Sequence, residues 1–499
     1  MPMQPTRRDL LARSAAVAAV AALPPLRATF GQTAPADEGP GATDLQRDLE
    51  QAIARHRVIG ASAAVYHAGE IETASAGILN ATTGVEVTPE TVMHIGSITK
   101  TLNTTLVMQL VDEGLVDLDA PVLDYVPDFA VADPEATRAI EVGMLLNHTS
   151  GIDGEMIPDH GPDQEAILQA VERARDLGQL FAPGEDCSYC NTAMVVAGHV
   201  AERVLGDSWY NLIEDRIFGR IGLEHSVVQP QDALLHRASV GHFLDPATGT
   251  QQRTSKAFLP LSFAPAGSTA MMSAPDLLAF VAAHLRGGEG LNGERLLSED
   301  SSKAMRTATA AVQGIGAVRS FGLGFMLGPN GDFGHGGGGP GILSWFSAHE
   351  ESDFAMVVLT NSAHGGLVAF ELVNAWMKKA SGFEPLAAQR FPPLDIEIDP
   401  RLYAGVYEDV AAEHTITERD GRLSVSSRAK VAFYDTTSTD ATPAFPLDPV
   451  GEHSFVVSLP EAIAATAPQT LLSFVNPQAD GRMRHVSTGG RLYLRRSGS

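Results

Sequence analysis

The sequence contains few cysteines and no long apolar run. There are two cysteines in 499 residues, Cys187 and Cys190. Two thiols cannot form a disulfide framework, and no second C-x-x-C or H-x-x-H pair completes a zinc site. Their spacing is compatible with a local disulfide or with two free thiols, and their redox state stays open. No stretch reaches the roughly 18 consecutive apolar residues of a membrane-spanning helix.

Basic residues are also few compared with acidic residues. The chain has 35 Lys and Arg against 60 Asp and Glu, a formal net charge of −25. Residues 1–36 carry a net charge of +3, so the remainder is at about −28. A protein with this negative charge repels phosphate backbones and anionic lipid, so nucleic acid is not expected as a partner. No cofactor is expected, and the oligomeric state is left open.

The first 36 residues indicate an export signal. Arg7 and Arg8 precede leucines and then an Ala/Val/Leu run from Ala15 to Leu23. A basic segment, a short apolar segment and a small-residue cleavage site around Ala34–Ala36 are typical of a signal peptide. Adjacent arginines favour the twin-arginine type over an ordinary secretory signal or an uncleaved anchor. We therefore expect a bacterial protein that is periplasmic or secreted.

The pattern along the chain predicts an α+β fold followed by a small β-barrel. A capping box at Thr43 opens a helix, alternating segments on either side of His67 predict a hairpin, and strand patterns return after residue 320. We expect one antiparallel sheet flanked by helices, with a helical insertion between its strands. Residues 383–400 are Pro-rich and predict a linker. Residues 401–499 alternate in short runs, which predicts an antiparallel barrel or sandwich.

Ser97 and Lys100 are the most informative residue pair. They stand three residues apart at the start of a predicted helix, so their side chains share one helix face. A serine hydroxyl is a weak nucleophile until a neighbouring base takes its proton, and Lys100 is within reach to assist. The tetrad Ser-x-x-Lys is common by chance, so its meaning depends on partners elsewhere in the chain.

Two later segments supply such partners. Tyr189 and Asn191 lie between a Pro-Gly turn and an apolar helix, in a loop where catalytic residues are commonly placed. The run Phe333-Gly-His-Gly-Gly-Gly-Gly-Pro340 contains His335 and backbone that a ligand can approach closely. A neighbouring ammonium helps a tyrosine to lose its proton, and an asparagine both donates and accepts hydrogen bonds.

These motifs, in this order, resemble the penicillin-recognising serine hydrolases: class C β-lactamases, D-alanyl-D-alanine carboxypeptidases and related esterases and amidases. That family carries Ser-x-x-Lys, Tyr-x-Asn and Lys/His-x-Gly, here Ser97/Lys100, Tyr189/Asn191 and His335/Gly337. Further similar stretches are Leu145–Ile152 and Val357–Asn361. The resemblance covers residues 44–382, and the last hundred residues loosely resemble a lipocalin-like domain.

The resemblance implies a Ser97 acyl-enzyme that water hydrolyses. Lys100 and Tyr189 would share the proton transfers, and which of them is the acylation base stays open. The backbone N–H groups of Ser97 and of Gly338, the residue after Gly337, would hold the oxyanion. Asn191 would orient the substrate and Lys100, and His335 would polarise or anchor the substrate's far side.

The departures from the family pattern bear on the substrate. His335-Gly-Gly stands where relatives that capture carboxylates have Lys-Thr-Gly, and histidine near pKa 6.5 is mostly neutral at pH 7. We expect an esterase, peptidase or amidase rather than an efficient β-lactamase. We also expect activity on carboxylate-bearing substrates to decline as pH rises through about 6–7. For His148, bracing its loop is favoured over the alternative of a triad histidine, and His94 is assigned a structural role.

The alternative is a catalytically silent peptidoglycan-binding or sensing module of the same fold. Ester, D-amino-acid peptide, β-lactam and other amide substrates all remain compatible with the sequence, and the role of the last hundred residues is left open.

Overall fold

The computed structural model describes residues 43–154, 159, 161, 165–245, 250–312, 318–383, 391–431, 438–460 and 469–498. The predicted export signal at residues 1–36 lies outside these residues. Among the described helices, none combines the length and the apolarity that a bilayer crossing requires.

Thirteen strands precede residue 361 in the described part of the chain. They are β1 (Gly60–His67), β2 (Glu70–Gly77), β3 (Met93–His94), β4 (Ser226–Val227), β5 (His242–Leu244), β6 (Gln251–Arg253), β7 (Met271–Met272), β8 (Ala310–Ala311), β9 (Ser320–Phe321), β10 (Met326–Leu327), β11 (Phe333–Gly339), β12 (Ile342–His349) and β13 (Phe354–Thr360). Eight of them form one sheet in the order β2-β1-β13-β12-β11-β10-β9-β8. All its pairings are antiparallel. The sheet therefore combines strands from both ends of this region, as the sequence predicted.

The helices lie on both faces of this sheet and in the segment between its two groups of strands. They are α1 (Asp44–His56), α2 (Thr99–Asp112), α3 (Pro134–Ala139), α4 (Val142–Leu146), α5 (Ala166–Arg173), α6 (Asn191–Leu205), α7 (Trp209–Ile213), α8 (Gly219–Ile221), α9 (Ala274–Leu285), α10 (Glu299–Met305) and α11 (Gly365–Ser381). The Thr43 hydroxyl accepts a hydrogen bond from the Gln46 N–H at 3.3 Å, which is the N-cap that the sequence predicted for α1.

Strand β13 shows why the sheet is buried on both faces. Its seven residues are all buried and alternate between two hydrophobic cores. Phe354, Met356 and Val358 pack under α1 and α11, whereas Val357 and Leu359 belong to the larger core that contains α2, α6 and α9. Successive side chains of a strand point to opposite faces, so an uninterrupted apolar run fits a central strand covered on both sides.

Helix α2 lies inside the larger core. Every residue from Thr99 to Leu110 is buried, so the helix is enclosed on all sides. The apolar stripe in its sequence predicted the burial of one face only. The side chain of Asn103 is hydrogen-bonded at both ends within the core. The Asn103 Nδ2 donates to the Met194 carbonyl at 2.9 Å and the Asn103 Oδ1 accepts from the Trp209 Nε1 at 2.9 Å. This burial holds the start of the helix in a fixed position.

The C-terminal part of the chain is a closed barrel of eight strands. They are β14 (Gly405–Glu408), β15 (Ala412–Arg419), β16 (Arg422–Ala429), β17 (Phe445–Gly451), β18 (Ser454–Val457), β19 (Leu471–Pro477), β20 (Met483–Thr488) and β21 (Arg491–Arg495). Closure comes from the pairing of β14 with β21, in which Tyr407 lies opposite Arg495. The predicted α+β fold with a C-terminal antiparallel barrel is confirmed.

Candidate active site

Ser97 lies at the entrance to the buried helix α2, in a 3-10 turn that spans Gly96–Ile98. Its Oγ is 3.0 Å from the Lys100 Nζ, which also donates to the Ala266 carbonyl at 2.6 Å. Lys100 has no exposed surface. The three-residue spacing therefore places a fully buried amine on the serine hydroxyl, as the helix geometry predicted.

Glycines let strand β11 lie directly against this turn. A Cβ on Gly337 would be 1.8 Å from the Ile95 carbonyl oxygen and 3.2 Å from the Ser97 nitrogen. Gly96 has a φ of 54°, and a Cβ there would be 2.7 Å from the Gly338 nitrogen. The backbone of β11 and the backbone of Ser97 are thus in contact, which brings the two predicted oxyanion donors to one place.

Tyr189 lies beside the Ser97–Lys100 pair. The Lys100 Nζ is 4.8 Å from the centroid of the Tyr189 ring. Asn191 is the first residue of α6, and α6 packs against α2. The structure therefore brings the Tyr-x-Asn segment, which is about ninety residues away in sequence, to the same cleft as the serine.

His335 is buried on β11, with its ring centroid 6.2 Å from that of Tyr189. Its Nδ1 is 2.6 Å from the Gly336 carbonyl oxygen, which can only accept, so Nδ1 carries the proton. The Nε2 is therefore an acceptor, and it has no hydrogen-bond partner among the described residues.

Burial, helped by the charge of Lys100, lowers the pKa of His335 to about 3. The sequence-based expectation of a pH limb at about 6–7 from this histidine is therefore wrong. That expectation used the pKa of a solvated imidazole, whereas the His335 ring is buried.

Two further histidines brace the site. The His148 ring lies 4.5 Å from that of Tyr189, and its Nδ1 accepts from the Cys190 N–H at 3.2 Å. Burial first, and then the charges around it, hold the pKa of His148 well below its usual range. The His94 Nδ1 accepts from the Gly96 N–H at 3.0 Å and its Nε2 donates to the Ser268 carbonyl at 2.8 Å. Both histidines hold loops, which is the role that the sequence favoured.

Both cysteines are buried free thiols. Burial raises the pKa of the Cys187 thiol to about 12, so it is unreactive in the folded protein. The Cys190 Sγ caps α6 by accepting from the Ala193 N–H at 3.4 Å. Of the two alternatives that the sequence left open, the structure shows the free thiols. In the described ranges, no group of His, Cys, Asp and Glu is arranged to hold a metal ion.

Sequence reasoning missed the contribution of the barrel to this site. The Tyr189 N–H donates to the Gly490 carbonyl at 2.9 Å, and the Leu492 N–H donates to the Ser188 Oγ at 3.0 Å. The guanidinium carbon of Arg491 lies 4.9 Å from the centroid of the Tyr189 ring. The only signal was the Gly489-Gly490 turn, and nothing in the sequence indicates what that turn contacts.

Comparison with known proteins gives a consistent result. The family described as Beta-lactamase matches residues 45–374. Penicillin-binding protein 4 of Amycolatopsis lactamdurans is 34% identical over 359 residues, covering 71% of this chain and 94% of the relative. The crystal structure of SurE is 26% identical with a TM-score of 0.74, covering 91% of this chain and 98% of SurE. The D-amino acid amidase from Ochrobactrum anthropi SV3, complexed with L-phenylalanine amide, is 25% identical with a TM-score of 0.55, covering 66% and 98%.

Proposed function

The chain belongs to the beta-lactamase family of serine hydrolases, and from that premise we propose that it cleaves an ester or amide bond through an acyl-enzyme on Ser97. The observation that carries the proposal is the 3.0 Å contact between the Lys100 Nζ and the Ser97 Oγ. In this proposal Tyr189, whose ring centroid lies 4.8 Å from the Lys100 Nζ, shares the proton with Lys100.

In the first half-reaction the Ser97 Oγ attacks the substrate carbonyl carbon. Its proton passes to the Lys100–Tyr189 pair, which returns a proton to the leaving group as the ester or amide bond breaks. In the second half-reaction water attacks the acyl-enzyme, gives a proton to the same pair, and the Ser97–acyl bond breaks. The acid product leaves and Ser97 regains its proton.

The negative charge on the carbonyl oxygen is stabilised in this proposal by the N–H groups of Ser97 and Gly338. Such donors act strongly because they are already oriented when the charge develops. Asn191, at the start of α6, orients the substrate and Lys100.

The neutral state of His335 bears on the choice of substrate. A lysine at this position would be a permanent point charge for a carboxylate, whereas His335 presents an uncharged acceptor nitrogen. This favours an esterase, peptidase or amidase over an efficient β-lactamase. The relative named as a D-amino acid amidase supports testing D-amino-acid amides first.

The test is covalent labelling of Ser97. A fluorophosphonate should add to the wild-type protein at Ser97, located by mass spectrometry of the digested protein, and p-nitrophenyl acetate should be turned over. Ser97→Ala should lose both, with an unchanged thermal unfolding midpoint as the control for folding. Equal labelling of the two proteins would refute this nucleophile. A folded wild-type protein with neither labelling nor turnover would instead support the silent binding module.

A further inference from the structure

His148 has a left-handed backbone conformation inside the protein. Six non-glycine residues of the described chain have positive φ angles, and His148, with a φ of 65°, is the only buried one of the six. This conformation costs energy in a non-glycine residue and persists only where the surrounding structure fixes it. Such residues cluster at functional sites, so the contacts that fix His148 bear on the candidate active site.

The contacts of His148 fall on both sides of Tyr189. The Ser188 N–H donates to the His148 carbonyl at 3.0 Å, and the Cys190 N–H donates to the His148 Nδ1 at 3.2 Å. The N–H between them, that of Tyr189 itself, donates instead to the Gly490 carbonyl of the barrel at 2.9 Å. Three consecutive peptide groups therefore alternate between two supports, and His148 alone provides one of them.

His148 is in turn fixed by the core. Its ring packs edge-on against that of Phe321, with 4.8 Å between the centroids, and Phe321 has no exposed surface. The next residue, Thr149, donates its N–H to the Met144 carbonyl at 3.1 Å and accepts from the Gly184 N–H at 2.8 Å. The support that His148 gives to the Tyr189 segment is therefore anchored on both sides of the peptide that joins His148 to Thr149.

The hydrogen bonds of His148 also exclude it as a base. Because its Nδ1 accepts the Cys190 N–H, the proton of the neutral ring is on Nε2. Burial first, and then the charge of Lys100, hold the pKa of His148 well below its usual range, so the ring stays neutral. Neither nitrogen then has a lone pair available for the Ser97 proton. The ring acts on the site through Tyr189, with which it is in contact at 4.5 Å between centroids.

We propose that His148 is a positioning residue for Tyr189, whose carbonyl and Nδ1 together set the place of the Tyr189 ring beside Lys100. The inference rests on the proposed acyl-enzyme function, in which the Lys100–Tyr189 pair carries the proton. The Lys100 Nζ is held separately by the Ala266 carbonyl, so Lys100 does not follow if Tyr189 moves. A misplacement of about 1 Å at such a site typically costs about 10²-fold in rate.

His148→Asn and His148→Gly test the proposal as a pair. Both residues adopt a left-handed backbone readily, and both variants lose the ring. The asparagine Oδ1 stands as many bonds from the Cα as the Nδ1 does and accepts from the Cys190 N–H, whereas glycine offers no side-chain acceptor. The pair therefore isolates the acceptor.

His148→Gly should lower kcat for p-nitrophenyl acetate about 10- to 100-fold, with KM changed less than about threefold, because Tyr189 acts in the reaction steps. His148→Asn should recover kcat to within about threefold of the wild type. Both half-reactions pass a proton through the Lys100–Tyr189 pair, so kcat should respond whichever of them is slower. Each kcat is expressed per active site, titrated by complete fluorophosphonate labelling of Ser97, so that an unfolded fraction does not count.

His284→Ala is the matched control. His284 is another buried histidine, with its Nε2 3.0 Å from the Thr105 Oγ1 and its ring against Phe280 and Phe325. Its loss should lower the thermal unfolding midpoint and leave kcat per active site unchanged. Equal kcat in His148→Asn and His148→Gly would overturn the proposal. Wild-type kcat with a lowered midpoint in His148→Gly would overturn it too, and would leave His148 a structural brace only. A wild-type protein with neither labelling nor turnover would instead refute the proposed function.

Discussion

Replacing Gly337 with alanine should abolish most of the activity while leaving the protein folded. A Cβ at this position would lie 1.8 Å from the Ile95 carbonyl oxygen. Side-chain Cβ atoms essentially never come closer than 3.0 Å to another heavy atom, so the two backbones must separate by at least 1.2 Å. That separation falls on the contact between β11 and the turn that carries Ser97.

The expected magnitude follows from the geometry of an oxyanion hole. Its donors must lie about 2.7–3.1 Å from the oxygen, so a displacement of 1.2 Å removes one donor from range. Loss of one such donor typically lowers kcat by about 10²- to 10³-fold, or about 2.7–4 kcal/mol. We therefore expect a loss of that size in Gly337→Ala, with KM for a small ester changed much less.

Gly338→Ala is the matched comparison, because its Cβ would meet no heavy atom within 4 Å. It makes the same chemical change one residue further along the strand and keeps the Gly338 N–H. The assay is steady-state hydrolysis of p-nitrophenyl acetate, with thermal unfolding of each variant alongside. The reasoning is refuted if Gly337→Ala and Gly338→Ala lose the same activity, or if Gly337→Ala retains wild-type kcat.

Three further outcomes follow from buried groups. Because the pKa of His335 is lowered to about 3 from 6.5, its unfolded form binds a proton that the folded form does not. The free energy of unfolding should therefore fall as pH drops from 6.5 towards 3, by about 1.4 kcal/mol per pH unit for this group. When the free energy of unfolding is measured by urea titration at several pH values, its dependence on pH should be weaker in His335→Gln by that amount, and an unchanged dependence would contradict the burial of a neutral His335. Cys187 and Cys190 should not react with Ellman's reagent in the native protein and should both react in denaturant, since both thiols are buried; reaction before unfolding would contradict their burial. Asn103→Ala should lower the free energy of unfolding by about 1–3 kcal/mol, because it leaves the buried Trp209 N–H without its acceptor, and an unchanged denaturation midpoint would contradict that role.

Local sequence patterns predicted most elements of the fold. The alternation on either side of His67 predicted the β1–β2 hairpin, and the hydroxyl of Thr43 caps the helix it was expected to cap. The apolar run Phe354–Thr360 predicted a strand, and its alternation between two cores shows why both sides of it are apolar. These features are short-range consequences of backbone geometry, so they are visible in a sequence without coordinates.

The order of three motifs predicted the residues of the candidate site, yet their electrostatic state was not visible in the sequence. His335 was expected to titrate near its solution pKa, whereas its ring is buried and neutral. Desolvation depends on how many distant segments cover a group, and neighbouring residues in the sequence do not reveal that number. The state of Cys187 and Cys190 was open for the same reason.

The contact between the barrel and the Tyr189 loop could not have been predicted, because it joins segments about three hundred residues apart through one main-chain hydrogen bond and one bond from a main-chain N–H to the Ser188 hydroxyl. It has a consequence for how such a site changes in evolution. The reacting pair Ser97 and Lys100 is held by the buried helix α2, whereas Arg491 is held by a hairpin of the separate barrel. Substitutions in that hairpin can therefore change the contacts of the Tyr189 loop, while the contact between Ser97 and Lys100 keeps its separate support in α2.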